Sequence, residues 1–254
     1  MKNIFYFTEH LRISSMITTT GLITMIDYSP SGEVVIIHVQ ISEPLSFAEG
    51  QFMLLQTLID GKIVKRSYSI CSTNQDLQDS QIISFSIKRK EFGVFSTWAT
   101  KVAKPGMQIT MTWPLGKFVD KKLSRNYLFI SVWSWLSPCL SIYNNLLRTG
   151  EYNKIANLFG EQKIAHIPDT VMEAYTKMDD RIYNQICLSR EMNTTYPSVM
   201  RSGYVQGALD DALAFLDTDD MTVFICWLPA MCDEVRDILL SKWLPRERLV
   251  IEKY

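Results

Sequence analysis

The sequence predicts two domains, an antiparallel β barrel of Greek-key type followed by an α/β domain built on a parallel sheet. Three observations lead to this fold class. The chain has 254 residues, which is enough for two ordinary hydrophobic cores. Short segments with apolar residues at alternate positions occupy its first half. Apolar strands alternate with amphipathic helices in its second half.

The barrel is predicted over residues 20–121, after an N-terminal extension over residues 1–19. Its first two strands, residues 22–28 and 33–41, are separated by the turn sequence Ser29-Pro30-Ser31-Gly32. Further strands are predicted at residues 51–59, 63–72, 82–88 and 107–112. Several short strands at this spacing are typical of a closed barrel.

The α/β domain is predicted over residues 122–254, with a Rossmann-like parallel sheet. Its strands are predicted at residues 127–132, 154–159, 182–188, 221–226 and 249–252. A helix that ends near residue 147 and helices at residues 169–177, 206–215 and 230–243 separate them. Ligands of such sheets bind beyond the carboxyl ends of the strands. The residues after Ile130 and Ile225 are therefore predicted to lie at a ligand site.

The composition is that of a globular protein, with 47% apolar and 21% charged residues and a net charge of −1. A charge so close to zero argues against nucleic acid as a partner. No membrane span and no export signal are predicted, so the expected location is cytoplasmic. The five cysteines form no Cys-x-x-Cys pair and indicate no metal site. Any redox chemistry would then need an organic cofactor.

The segment Arg66-Ser67-Tyr68-Ser69 carries the most informative side chains. At strand spacing, Arg66 and Tyr68 point to one side of the strand, and Ser67 and Ser69 point to the other. A guanidinium binds phosphate through charge-assisted hydrogen bonds, and a phenol ring offers a stacking face to a flat aromatic group. Taken alone, the segment also fits an ordinary strand edge.

Together with the preceding Gly50-Gln51-Phe52, this segment resembles the flavin motif of the ferredoxin–NADP reductase superfamily, Arg-x-Tyr-Ser/Thr after a Gly-Gln-Phe turn. The resemblance implies that Arg66 contacts the flavin phosphate and that Tyr68 packs on the isoalloxazine ring. It also implies that Ser69 hydrogen-bonds near the reactive nitrogen of the ring. Tyr68 and Ser69 are thus the expected catalytic residues, and Ser67 is a further expected cofactor contact.

A second segment, Gly93-Val94-Phe95-Ser96, resembles the family's Gly-x-x-Ser at the start of a helix. The free N–H groups of a helix N-terminus and nearby hydroxyls can hold a pyrophosphate, although an ordinary capped helix is the alternative. Two phosphate-binding motifs favour FAD over FMN. The resemblance assigns cofactor binding in this region to Ile87, Lys88, Arg89, Gly93, Val94, Phe95, Ser96 and Thr97.

Two loops of the α/β domain depart from the family pattern. Where the family has Gly-Gly-Thr-Gly-x-x-Pro, this chain has Val132-Trp133-Ser134-Trp135-Leu136-Ser137-Pro138. The family's Cys-Gly-Pro-Pro-x-Met appears as Cys226-Trp227-Leu228-Pro229-Ala230-Met231. Glycine at such turns lets a nicotinamide nucleotide approach the backbone closely.

The replacements predict that the indoles of Trp133, Trp135 and Trp227 block the nicotinamide pocket, while Ser134 keeps a cofactor contact. The alternative is that the indoles turn outward or stack on a ligand. Ser189-Arg190 resembles the family's contact with the 2′-phosphate, or is a solvated strand end.

The last residue, Tyr254, resembles the aromatic residue that lies near the flavin in many family members. It is expected to cover one isoalloxazine face, or else to pack on the barrel. The histidines His10, His38 and His166 are isolated in the sequence. They show no spacing that indicates nucleophilic catalysis, and structural or solvated roles are predicted for them.

The resemblance implies a FAD-dependent oxidoreductase with impaired direct use of NAD(P)H. Its flavin would exchange electrons with a carrier protein such as ferredoxin or flavodoxin, or with a small acceptor. Two alternatives stay open. One is an ordinary NAD(P)H-dependent reductase whose tryptophans move aside on binding. The other is a scaffold subunit that keeps the fold without redox turnover.

Overall fold

The computed structural model describes residues 18–119, 121, 124–133, 136–177, 179–192, 198–227, 229–242 and 244–253. Most of the predicted N-terminal extension therefore lies outside the described residues. The element bounds below refer to the described part of the chain.

The first sheet is antiparallel, and its strand order is β4-β3-β6-β1-β2-β5. Its strands are β1 (Thr18–Tyr28), β2 (Val34–Ile41), β3 (Phe52–Ile59), β4 (Lys62–Ser69), β5 (Ile82–Lys88) and β6 (Gln108–Thr112). Exposed and buried residues alternate at the start of β1, as expected for a strand with one face on a core. The sheet curls so that its two ends approach each other, and one isolated bridge joins Ile70, just after β4, to Phe85 of β5. The result is a half-barrel.

Two helices belong to this part of the chain. Helix α1 (Asn74–Ser80) was not predicted, and it begins with a capping box in which Thr73 and Asp76 bond each other's backbone N–H groups. Helix α2 (Val94–Lys101) closes the barrel interior, since Phe95, Trp98 and Ala99 are buried in the same core as the strands. The position of its first turn decides the geometry of the candidate site.

The second sheet is parallel throughout, in the order β10-β9-β8-β7-β11-β12. Its strands are β7 (Asn126–Val132), β8 (Lys154–Glu161), β9 (Ile182–Leu188), β10 (Met200–Ser202), β11 (Met221–Trp227) and β12 (Leu249–Lys253). All seven residues of β7 are buried, as expected for a central strand covered on both faces. The short β10 was not predicted.

Four helices cover the parallel sheet: α3 (Leu136–Thr149), α4 (Asp169–Thr176), α5 (Leu209–Phe215) and α6 (Pro229–Ser241). Buried residues of α3 and α4 share one core cluster, and those of α5 and α6 share another, so the pairs lie on opposite faces. The predicted fold class is confirmed. No helix within the described ranges is both long and apolar enough to cross a membrane.

The two sheets meet around α3. Cys71 and Phe118, from the barrel side, belong to the same core cluster as Cys139 and Ile142 of α3. Across this junction the Ser141 hydroxyl donates a 2.7 Å hydrogen bond to the Ser72 carbonyl. The hydrophobic contacts hold the sheets together, and the hydrogen bond helps to set their relative position.

We expect Gly50→Ala to disrupt this junction. Gly50 has a φ of +95°, and a Cβ there would lie 1.8 Å from the Phe118 carbonyl oxygen. The strained backbone costs about 1–3 kcal/mol, and overpacking adds about 1–3 kcal/mol. The matched control is Gly61→Ala, because Gly61 has a φ of +74° with no atom within 4 Å. Urea unfolding should show the larger loss for Gly50→Ala, and equal losses would contradict the steric argument.

Candidate functional site

The edge strand β4 presents the predicted flavin motif. The Arg66 side chain is exposed, and its Nη1 donates only a local 2.6 Å hydrogen bond, to the Lys65 carbonyl. Among the described residues, no carboxylate pairs with Arg66. The neighbouring Ser67 is exposed, whereas Ser69 is buried. Arg66 is therefore a cation available to an anionic ligand.

Tyr68 connects this strand to the first turn of α2. Its ring centroid lies 5.3 Å from that of Phe95, which in turn packs against Trp98. Burial raises the pKa of the Tyr68 phenol to about 12, so the phenol stays protonated around neutral pH. Phe95 is itself buried and supports the tyrosine ring. The arrangement holds one flat ring in a fixed place beside the N-terminus of a helix.

The N-terminus of α2 has no side-chain cap, because its N-cap residue is Gly93. The Ser96 hydroxyl accepts a 3.1 Å hydrogen bond from the Lys90 N–H and donates a 3.2 Å bond to the Gly93 carbonyl. Ser96 thus holds the loop together, while Val94 and Thr97 are exposed on the first turn. The first N–H groups of a helix have no intrahelical partner, and they favour an anion.

A cavity of about 700 Å³ adjoins this helix N-terminus. Gly93, Val94 and Thr97 line one side of it, and the end of β3 lines another. The volume lies in the range of pockets that bind cofactor-sized ligands. Arg66 and Tyr68 are not among the residues that line this cavity. The fit to a flavin with a pyrophosphate rests on the exposed Arg66 cation, the Tyr68 ring packed on Phe95 and the α2 N-terminus without a side-chain cap.

Three other residues of the predicted site are engaged within the protein. Ile87 is fully buried in the barrel core. The Lys88 ammonium bonds both carboxylate oxygens of Glu161, at 2.7 and 2.9 Å. Arg89 pairs with Glu33, and this hydrogen bond lowers the pKa of the Glu33 carboxyl. The pKa of Lys88 is lowered by burial, although Glu161 opposes that effect.

The first substituted loop of the α/β domain holds Trp133 at a φ of +54°, a region that favours glycine. The Lys88 Nζ lies 4.9 Å from the centroid of the Trp133 ring. Trp133 and Ser189 line a second cavity, of only about 80 Å³, at the carboxyl end of the parallel sheet. Ser134, Trp135, Tyr254 and the side chain of Trp227 lie outside the described residues.

Sequence reasoning missed Glu252. Strand register places Cys226 of β11 beside Glu252 of β12. Burial raises the pKa of the Cys226 thiol well above its ordinary value, and charged neighbours including Glu252 raise it further. The thiol therefore stays protonated beside a carboxylate. The available signal was that β12 adds to a parallel sheet, which puts its last acidic residue at the same edge as Cys226.

Two of the three histidines, His38 and His166, have polar side-chain partners in the structure. The His38 ring lies between Asp27, 3.0 Å from Nε2, and Ser84, 2.9 Å from Nδ1. His166 Nδ1 lies 3.1 Å from Glu161. Ser84 lies 46 residues from His38 in the sequence, so local spacing carried no signal for that contact. Glu161 lies only five residues from His166, within the range of a local pattern. Ser84 is buried and lines neither cavity described above, which accords with the structural role predicted for His38.

Comparison with known sequences agrees with this geometry. The family described as the oxidoreductase FAD-binding domain matches residues 22–119. Ferredoxin–NADP reductase B of Sorangium cellulosum is 30% identical over 218 residues, which cover 82% of this chain and 85% of that protein. The electron transfer component of toluate 1,2-dioxygenase from Pseudomonas putida is 23% identical over 83% of this chain.

The ferredoxin reductase component of 3-ketosteroid-9-alpha-monooxygenase from Mycobacterium tuberculosis is 28% identical over 83% of the chain. This chain spans only 59% and 55% of the lengths of the dioxygenase and monooxygenase components. Among solved structures, a ferredoxin NADP+ reductase from Neisseria gonorrhoeae with bound FAD and NADP has a TM-score of 0.77 at 15% identity. The match covers 93% of this chain and 98% of the Neisseria gonorrhoeae chain.

The half-barrel, the parallel sheet and the match to the FAD-binding domain define a two-domain flavoprotein oxidoreductase whose cofactor is FAD. The chain belongs to the ferredoxin–NADP reductase family.

We expect Gly93→Ala to weaken FAD binding by about tenfold, or roughly 1.4 kcal/mol. A Cβ there would lie 2.5 Å from the Ser96 hydroxyl oxygen and 3.0 Å from the Lys90 carbonyl oxygen. Ser96 would move, and the first turn of α2 would lose its position against the phosphate. Flavin fluorescence titration measures the effect. Gly207→Ala, at a site with no atom within 4 Å, serves as the control and should bind FAD like the wild type.

Proposed function

We propose that this protein is an electron-transfer flavoprotein whose FAD exchanges electrons with a carrier protein such as ferredoxin or flavodoxin, or with a small acceptor. FAD supplies the redox chemistry when it is bound. One observation carries the proposal. Arg66 is an exposed cation without a carboxylate partner among the described residues, and it lies on the same strand as Tyr68, whose ring packs on the uncapped first turn of α2. The relatives include electron transfer and ferredoxin reductase components of oxygenases, which supports the class of partner.

Different residues of this chain are proposed to contact different parts of the flavin. Arg66 binds and orients the phosphate, and Tyr68 holds the ring system by stacking. Ser69, which is buried at the end of β4, is proposed to hydrogen-bond the edge of the isoalloxazine ring. Val94 and Thr97 line the larger cavity. Ser67 is proposed as a further contact of the cofactor, and Tyr254 is proposed to cover the other ring face.

Direct reduction by NADH or NADPH is proposed to be slow. Hydride transfer needs the nicotinamide in near-attack contact, with reacting atoms about 3–3.5 Å apart. Trp133 stands where the family has glycine, and its indole lies under the Lys88 ammonium beside a cavity of only about 80 Å³. That volume is far below the 300–1,000 Å³ typical of cofactor pockets.

The proposal extends to location and domain limits. The five cysteines all lie within the described residues, are buried and form no disulfide, which supports a reducing, cytoplasmic environment. A boundary near residue 121, between β6 and β7, is supported by the change from antiparallel to parallel pairing.

Replacing Arg66 by alanine should weaken FAD binding by about 1.5–3 kcal/mol, through loss of charge-assisted phosphate contacts. The matched control is Lys65→Ala, because Lys65 is an exposed cation next to Arg66 in the same strand. Its loss should change the FAD dissociation constant less than threefold. Wild-type protein that shows no flavin band after reconstitution with FAD would overturn the proposed function and favour the scaffold alternative.

Stopped-flow kinetics tests whether NADH and NADPH reduce the bound flavin directly. NADH and NADPH should reduce the bound flavin far more slowly than dithionite does. Trp133→Gly, and the combined change with Trp135→Gly and Trp227→Gly, should raise the nucleotide-dependent rate by about a hundredfold, because the nicotinamide then gains access. Glycine also suits the backbone at position 133, where φ is +54°. Rapid reduction of the unmodified protein would restore the ordinary NAD(P)H-dependent reductase.

A further inference from the structure

The Glu161 carboxylate lies at the carboxyl end of β8, between the two domains, and its side chain is 1% exposed. Oε1 accepts hydrogen bonds from Lys88 Nζ at 2.7 Å and from the Gln162 N–H at 2.6 Å. Oε2 accepts a second bond from Lys88 Nζ at 2.9 Å. The His166 ring Nδ1 is 3.1 Å from Oε1. A carboxylate so deeply buried requires these partners.

Lys88 reaches this carboxylate from the other domain, since it is the last residue of β5 in the half-barrel. The ion pair therefore spans the cleft between the sheets. The Lys88 side chain is 16% exposed, and its ammonium also faces the Trp133 ring, at 4.9 Å from the ring centroid. Glu33 and Arg190 act on the ammonium at longer range, with opposite signs.

The Glu161 member of this ion pair borders the small cavity at the end of the parallel sheet. Glu161 and Trp133 both line it, together with Ser189. This edge of a parallel sheet is where phosphate-bearing nucleotides bind in α/β folds, and a lysine is a common point-charge partner for their phosphates. Here the lysine at that edge is already neutralised by an internal carboxylate.

A phosphate that entered the cleft would have to take Lys88 away from Glu161. The carboxylate would then be buried without its cation, and breaking a buried pair in this way is strongly unfavourable. The phosphate would also approach the negative charge of Glu161 directly. Both effects are electrostatic and act even on an anion too small to meet the indole of Trp133.

We propose that Glu161 is a specificity-determining residue that excludes phosphate-bearing ligands from the parallel-sheet side of the interdomain cleft by occupying Lys88. This inference rests on the proposed function, in which the flavin takes its electrons from a source other than NAD(P)H. It assigns the exclusion to a charge as well as to the bulk of Trp133. The two causes are separable by experiment.

The test is isothermal titration of the FAD-loaded protein with inorganic pyrophosphate and with NADP+. Glu161→Gln keeps the shape of the side chain, leaves Trp133 in place and frees the Lys88 cation. It should bind pyrophosphate at least tenfold more tightly than the wild type. Equal binding by the two proteins would overturn the proposal.

The double variant Lys88→Met/Glu161→Met gives an independent arm, because replacing both members of a buried ion pair by apolar residues is often tolerated. Its pyrophosphate affinity should equal that of the wild type, since Lys88 contributes nothing while it is paired. Wild-type binding tighter than that of the double variant would show that Lys88 is available, and would overturn the proposal even if Glu161→Gln did not fold.

The outcomes also separate this inference from the proposed function. Slow reduction of the wild type by NADPH, with no gain of binding in Glu161→Gln, leaves the proposed function standing and removes the role of Glu161. Fast reduction of the wild type by NADPH removes both. If Glu161→Gln binds pyrophosphate more tightly than the wild type but binds NADP+ no better, the electrostatic exclusion is due to Glu161. The remaining exclusion of NADP+ is then due to Trp133.

Discussion

The packing of α3 between the two sheets is the constraint on which the rest of the structure depends. Cys139 and Ile142 of this helix share a core with Phe129 of β7 and with Phe118 from the barrel side. Hydrophobic burial supplies most of the favourable free energy of such a contact, but it is not directional. The hydrogen bond from Ser141 to the Ser72 carbonyl therefore matters for the relative position of the sheets.

The consequences of that junction appear at the loop just before α3. Because α3 is anchored on the barrel, the end of β7 is held opposite the end of β5, where Lys88 meets both Trp133 and Glu161. A φ of +54° at Trp133 costs about 1–2 kcal/mol relative to an ordinary conformation. A partly desolvated cation–π contact contributes about 1–2 kcal/mol, which is enough to offset the strain.

Much of the fold follows from local pattern. The strands Ile82–Lys88 and Ile182–Leu188 lie where alternation and flanking turns predict them. Helix α1 was not predicted from the sequence because it has only seven residues and a single buried side chain, Leu77. The Thr73 and Asp76 capping box was its one readable signal.

The candidate site was predictable in part. Strand periodicity applied to β5 separates a core residue, Ile87, from an interdomain residue, Lys88, although the family motif groups them. The partner of Lys88 lies 73 residues away in sequence. No local pattern specifies such a pair, because it exists only after both sheets have formed and packed.

The cations of the family motifs show how the two halves of the cleft differ. Arg66 is exposed, without a carboxylate partner among the described residues, whereas Lys88 and Arg89 are held by Glu161 and Glu33. At the flavin side the uncapped N-terminus of α2 supplies further positive potential from its backbone N–H groups. At the other side, Glu161 cancels the charge of Lys88 and Trp133 occupies space. Anion-binding potential is thus present at Arg66 and the α2 N-terminus, where FAD is proposed to bind, and is cancelled at Lys88, where a second nucleotide would approach. At the second place the charge of Glu161 and the bulk of Trp133 act through different physical effects, one electrostatic and one steric.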